Sequence, residues 1–374
     1  MLDSIKRLVY LLFALRSRIK LNRKISLIYK TLASVKVISP EKIEYHILLW
    51  EKLGSRPNLK WYKVFASING NDDSDYVTEV DYYNKIELIL NNRTFSEAYC
   101  DKNSYHNYID NNLLPEVYLR NIQGVYYNSN YKVIQKFENF NGIIPHESDK
   151  VVVKISVDSG GGKRVELFKK NGNNWENVKG DLLTRKYLEK KFIRNFIIQE
   201  YIHQHEYYSL LNSSSVNTVR IFTYRSVVTN EIIPLQSVLR VGMPGAIVDN
   251  QASGGIACGI KEDGSLNPFA INKKGNIFYE INGIPICDLA PVYQYNEIVK
   301  NARELAGKYY YHRLIGFDFS VNNLGEVKLI EINNRNNEIN FYQMNNGPLF
   351  REYTNEIIDY CLNNMKTICF DFEI

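Results

Sequence analysis

The sequence predicts an α+β fold, and three observations carry that expectation. Short apolar runs bounded by turn residues recur along most of the chain, which is the pattern of strands. Some fall in pairs around a tight turn: 314–321 and 326–332 flank Asn322-Asn323-Leu324-Gly325 and read as a β-hairpin. Helical segments sit among these runs without the regular strand–helix alternation of a wound parallel sheet.

Bulk composition narrows the classes. The 374 residues, 45% hydrophobic and 23% charged, are those of an ordinary globular chain with room for two or three packed units. A net charge of +5 is mild, and beyond the N-terminal segment Lys and Arg are dispersed, so no nucleic-acid surface is read. The cysteines (Cys100, Cys258, Cys287, Cys361, Cys369) are odd in number and scattered, with no C-x-x-C pair. They indicate neither a disulfide framework nor a zinc site and suit a reducing cytosol.

Residues 1–55 read as mostly helical, with Pro40 as a break. The apolar run 8–15 is far short of the roughly 20 residues that span a bilayer. Lys6-Arg7 precede it, and Arg16, Arg18, Lys20, Arg23 and Lys24 follow where a signal peptide would carry a small-residue cleavage site. Two readings stay open. One is an amphipathic basic helix resting on an anionic membrane surface. The other is a first helix docked on its own domain with a solvated basic flank.

Further along, 56–100 is polar and aromatic, and 100–121 reads as a helix that stops near Leu114-Pro115. Strand-like alternation occupies 125–141. A strand at 151–155, a glycine loop at 158–163 and a short strand at 165–168 follow. A helix is expected over 182–195, a buried strand over 196–202, and strands over 219–228, 232–242 and 256–260. A helix over 297–311 leads into the hairpin.

The hairpin carries the chemistry. Asp318, Glu331 and Asn333 are hard oxygen donors, and Glu331 and Asn333, two apart, share one face of a strand. Such donors suit Mg²⁺ with substrate phosphates completing its shell; the plainer reading is a polar hairpin whose acids face water. Lys154 sits near the end of an apolar strand ahead of Gly160-Gly161-Gly162, whose backbone can approach a phosphate without Cβ obstruction. The loop is no Walker A motif, because Arg164 follows Lys163 and Val157 stands where Gly is required. It returns to a strand and reads as a flap over phosphates or a plain hairpin turn. In Phe196-Ile197-Ile198-Gln199-Glu200-Tyr201-Ile202, an apolar strand runs into polar groups that can meet an adenine edge, with Glu206 placed for ribose hydroxyls. His203 and His205 lack further ligands for zinc. Arg220 and Arg240, on successive strands, suit a site where phosphoryl or carboxylate charge develops, or serve as surface salt-bridge partners. Asp249-Asn250 and Gly254-Gly255 follow them.

In this order the elements resemble the ATP-grasp superfamily. They are most similar to the sugar-transfer-associated ATP-grasp proteins found with capsule and surface-polysaccharide genes. The likeness covers roughly 80–350 and rests on Asn217-Thr218-Val219-Arg220, Leu239-Arg240-Val241-Gly242, Asp249-Asn250, Gly254-Gly255 and Glu331-Ile332-Asn333. It implies an ATP-grasp fold, two α+β lobes clamping ATP, behind a largely helical N-terminal region. The expected units are 1–95, a small lobe with the glycine flap at 96–202 and a large lobe at 203–374. The resemblance implies Lys102 and Lys154 on ATP phosphates, with Gly160, Gly161 and Gly162 closing over them. Gln199, Glu200, Tyr201 and Ile202 would hold adenine, and Glu206 ribose. Asp318, Glu331 and Asn333 would hold Mg²⁺, and Arg220 and Arg240 would act on the acyl substrate and the transferring phosphoryl group. Many relatives carry Pro-Gly soon after the Asn; here Asn334-Arg335-Asn336-Asn337 stands there.

The implied function is an ADP-forming carboxylate–amine ligase working through an acylphosphate. Its expected setting is surface polysaccharide biosynthesis, joining an amino acid or amine to an acidic sugar. It is expected in the cytoplasm, with peripheral contact at the inner face of the plasma membrane if the first reading of the N-terminal helix holds. The alternatives are an ATP-grasp kinase acting on a small molecule or sugar and a non-catalytic membrane-associated scaffold.

Overall fold

The computed structural model describes residues 2–137, 140, 142–157, 164–245 and 254–364. Two antiparallel sheets dominate it, as an α+β chain requires. The smaller is built from β1 (Val117–Ile122), β2 (Val125–Asn128), β3 (Lys150–Ile155), β4 (Val165–Asn171), β5 (Asn174–Asn177) and β6 (Phe196–Glu200), in the order β2-β1-β6-β3-β4-β5. The larger takes β7 (Thr218–Arg225), β8 (Ile232–Val241), β9 (Ile256–Ile260), β10 (Leu266–Asn272) and β11 (Ile277–Phe278). A two-stranded ribbon, β12 (Glu280–Ile281) and β13 (Ile284–Pro285), intervenes before β14 (Leu314–Val321) and β15 (Val327–Asn333). The large sheet runs β11-β10-β9-β8-β7-β14-β15.

Strand periodicity explains how the large sheet is covered. Val219 and Ile221 of β7 point into a core with Phe317 and the helix Tyr295–Lys308, while Phe222 and Tyr224 point to the opposite face. That face meets the N-terminal helices α1 (Leu2–Thr31), α2 (Pro40–Glu51) and α3 (Lys60–Asn69), through Trp61, Tyr62 and Phe65. The helical N-terminal region thus shares one core with the sheet. Sandwiched on both faces, β14 is buried at every residue. One face of the small sheet packs Val151, Val153 and Ile198 against Leu188 of the helix Arg185–Lys191. Its other face looks toward the large sheet.

Local chemistry corrects several sequence expectations. Pro40 does not break a helix; it opens one, with the Ser39 hydroxyl capping the Lys42 amide, because the first helical turn has no use for the missing N–H. The expected helix at 100–121 is absent. Asp101 and Asp110 carboxylates each accept the amide two residues on, and these turns compete with helix propagation, leaving only the short turns Tyr105–Asn107 and Asn111–Leu113 before β1. The helix expected over 182–195 is held to Arg185–Lys191 by the Thr184 cap and by left-handed Ile193 and Asn195. The strand expected over 196–202 stops at Glu200. Of 125–141, the strand is Val125–Asn128, and a single bridge joins Tyr127 to Val133.

Candidate active site

The large sheet supplies an acid and two guanidinium groups. Asp318 lies opposite Arg220 of β7 and opposite Glu331 of β15, so the three side chains share a face. Thr218 opposite Arg240 and Gly316 opposite Asn333 bring those side chains to the same face. Arg220 donates Nε to Oδ1 and Nη2 to Oδ2 of Asp318, each at 2.5 Å. Arg240 Nη1 adds a bond to Oδ2 at 3.2 Å, and Asn333 Nδ2 stands 3.5 Å from the same oxygen. This is the fork geometry that a guanidinium makes with a carboxylate. Burial acts to push the Arg220 guanidinium down, but the Asp318 carboxylate outweighs it and holds the group above its ordinary range.

The lysines come from the other side. Lys154 is next to last in β3, opposite Ile197, and its Nζ crosses to the carbonyl oxygen of Ile330 on β15 at 3.4 Å. Burial first, and then the neighbouring Lys102, push its ammonium down to about 7. Lys102 donates Nζ to Glu331 Oε1 at 2.9 Å, while its amide bonds the Ser156 carbonyl just after β3. Both lysines therefore reach β15, Lys102 at Glu331 and Lys154 at the Ile330 carbonyl, and they line one small cleft with Gln199, Ile197, Val117 and Leu329.

The expected nucleotide-edge residues divide. Gln199 is buried and faces the cleft beside Lys154. Glu200, next in the strand, turns to the other face, where its Oε1 accepts the Glu116 amide at 3.0 Å. Tyr201 packs over Lys150, with Nζ 4.8 Å from the ring centroid, and Ile202 is buried. Glu206 opens the helix Glu206–Leu211 behind a His205 cap. The histidines diverge: His203 bonds Asp149 at 2.9 Å, and His205 stacks on Tyr293. Among the described residues no group of three or more His, Cys, Asp and Glu is placed to hold a metal. Gly160, Gly161, Gly162, Asp249 and Asn250 lie outside the described residues.

The profile of the sugar-transfer associated ATP-grasp family fits residues 81–358. The chain belongs to that family. Among solved structures, an N5-carboxyaminoimidazole ribonucleotide synthetase in an ADP complex is similar at 12% identity and TM-score 0.38, over 68% of this chain and 51% of that one. The L-amino acid ligase from Bacillus licheniformis shows 13% identity and TM-score 0.33, over 63% and 40%. The biotin carboxylase domain of 2-oxoglutarate carboxylase from Hydrogenobacter thermophilus, with MgADP, shows 12% and 0.36, over 73% and 46%. The chain spans about half or less of the length of these three structures. Comparison with curated proteins finds no match.

Around this cleft, several residues escaped the sequence reading. Arg120 of β1 is fully buried and bonds the Asn103 carbonyl and His106 Nδ1, which pins the loop bearing Lys102. Glu87 accepts the amides of Asn336 and Asn337 and so fixes the segment that replaces Pro-Gly. Gly316 lets that segment close in, since a Cβ there would stand 2.8 Å from Asn337 Oδ1. Cys100 donates its thiol to Asn334 Oδ1 at 2.9 Å, and burial pushes it up to about 11, so it is a structural thiol. Tyr342 is buried beside Phe222, with a hydroxyl that has no hydrogen-bond partner among the described residues. Burial holds its phenol well above the ordinary range, and Arg220, Asp318 and Arg240 are the charges within reach. No spacing signal in the sequence singles out this tyrosine among 28.

Proposed function

We propose that the protein is an ATP-dependent carboxylate–amine ligase that uses Mg²⁺ and forms an acylphosphate. The supporting observation is that Lys102 and Lys154 reach β15 at Glu331 and at the Ile330 carbonyl, while Glu331 stands opposite Asp318, which holds Arg220 and Arg240. Family membership supports ATP as the phosphoryl donor. Lys154, buried and pushed down without a phosphate beside it, suits a tri-anion that would restore its charge. Gln199 lines the nucleotide end.

The donor set fits a hard divalent cation: two carboxylates and an amide on one face of the hairpin. Asp318, Glu331 and Asn333 would hold the ion, Asp318 while it keeps the Arg220 fork and Glu331 while it keeps Lys102 Nζ. When bound, Mg²⁺ neutralises phosphate charge. Arg220 and Arg240 orient the substrate carboxylate and stabilise charge on the transferring phosphoryl group. The carboxylate oxygen bonds to the γ-phosphorus as the bond to the ADP oxygen breaks. An amine then displaces phosphate from the acyl carbon and loses a proton, giving amide, ADP and phosphate.

We assign the acid to a glycan or small molecule and the amine to an amino acid or simple amine, in surface-polysaccharide decoration. The family description supports that setting. The test is a screen of acidic sugars against amines for ADP release, with the product weighed. A mass gain equal to the amine minus water supports ligation. A gain of one phosphoryl group assigns a kinase instead, and failure to bind MgATP assigns a scaffold.

A further inference from the structure

Helix α1 has two apolar sides. One docks: Leu21, Ile25 and Ile28 join the core beside Trp61, and the Tyr10 hydroxyl donates to the Asn84 carbonyl at 2.6 Å. The other carries Ile5, Leu8, Leu12, Leu15 and Ile19, which are 47, 59, 60, 56 and 47% exposed. At about 100° per residue, Ile19 lies roughly 180° around the axis from Tyr10, so this stripe points away from the protein body. Arg18 flanks it on one side, and Arg16 and Lys20 flank it on the other. No Asp or Glu occurs between Asp3 and Glu41.

A second copy of the chain is poorly suited to cover the stripe. Its alternating three- and four-residue spacing would serve a two-helix seam, but beyond Val9 and Leu11 the positions bordering such a seam hold Arg16, Arg18 and Arg23. Pairing would set arginine against arginine. Among the described residues no helix is long and apolar enough to cross a membrane. An apolar stripe between cations, with the docked side behind it, matches the surface of an anionic bilayer.

We infer that α1 seats the protein on an anionic phospholipid surface, lying in the plane of the interface with Leu8, Leu12 and Leu15 inserted and the arginines on headgroup phosphates. The body stays docked on the other side of the helix, so binding needs no unfolding. The test is sedimentation of the full chain with vesicles of phosphatidylcholine alone and of phosphatidylcholine mixed with phosphatidylglycerol. Binding is expected to the mixed vesicles, to weaken at high salt, and to be slight with phosphatidylcholine alone. Arg16→Gln and Arg18→Gln should each lower affinity about fivefold. The pair Leu12→Gln with Leu15→Gln should abolish binding, with the thermal midpoint unchanged because both side chains are exposed. Absence of binding to the mixed vesicles overturns the inference. So does equal binding to both vesicle types, or binding retained by the double leucine variant. Self-association that the leucine variant abolishes, without vesicle binding, would assign the stripe to a second copy.

Discussion

Arg220 and Arg240 on the large sheet already share a carboxylate, whereas among the described residues Lys154 on the small sheet reaches the Ile330 carbonyl, at 3.4 Å. The first cluster is complete without ligand: strand register places its members side by side, and burial strengthens their attraction. The second is incomplete, since burial and Lys102 push the Lys154 charge down. One side of the cleft therefore holds its geometry through internal pairing. The other stores an unfavourable charge that a phosphate can relieve. Substitutions on the two sides should fail differently.

The largest effect should come from Asp318→Asn. It leaves two buried guanidinium groups facing a neutral amide, and breaking a buried pair from one side costs about 3–5 kcal/mol. Urea unfolding measures it. A loss below about 1 kcal/mol would show that the arginines find other partners and that the cluster is not what organises this face. Arg240→Gln is the milder cut on the same side, because the Arg220 fork to Asp318 remains. Stability should fall little, while turnover in the ADP-release assay falls about 10²–10³-fold, as for loss of a donor to developing charge. A large stability loss with turnover intact would make Arg240 purely structural.

On the lysine side the signature is a proton. The folded Lys154 ammonium titrates at about 7, below roughly 10.4 in the unfolded chain. Between those values the unfolded state binds more protons, so the stability of the free protein should rise as pH climbs from 7 toward 10; below 7 the full penalty applies. Phosphate beside Lys154 restores its charge, so MgATP binding near pH 8.5 should take up as much as one proton. Calorimetry in buffers of different ionisation enthalpy reads that uptake. Lys154→Met should remove it, raise the stability of the free protein at neutral pH and weaken MgATP binding about tenfold or more. Uptake that persists in the variant would move the proton to another group.

The sequence exposed the side of the cleft built from regular strands. Alternation and the 322–325 turn placed Glu331 and Asn333 on one face, and strand arginines were recognisable as such. Their partnership with Asp318 was not legible, because it depends on β7 and β14 pairing across most of the large lobe. The Lys102 segment does not form the helix expected over 100–121, because the Asx turns at Asp101 and Asp110 are fixed by local side-chain bonds that a helix pattern does not reveal. Glu87 and Tyr342 stayed invisible for a related reason: both act from the helical cover over the sheet, at positions set by packing with Tyr82 and Phe222.

Tyr342 tests whether the completed side of the cleft also reads substrate. Its ring packs on Phe222 and Phe341, with centroids at 5.5 and 4.4 Å, and Arg220 lies 5.8 Å from the Phe341 ring. The ring is therefore held in place beside the arginine cluster. Its buried hydroxyl has no partner among the described residues, and such a group costs the fold free energy unless a ligand meets it. Tyr342→Phe should leave the thermal midpoint unchanged or slightly raised. If the hydroxyl bonds the acceptor, KM for the acid should rise about fivefold, the worth of one neutral hydrogen bond, with KM for ATP unmoved. An unchanged KM for the acid would reduce Tyr342 to a wall of the arginine cluster. A rise in both KM values would place its effect on the cleft as a whole.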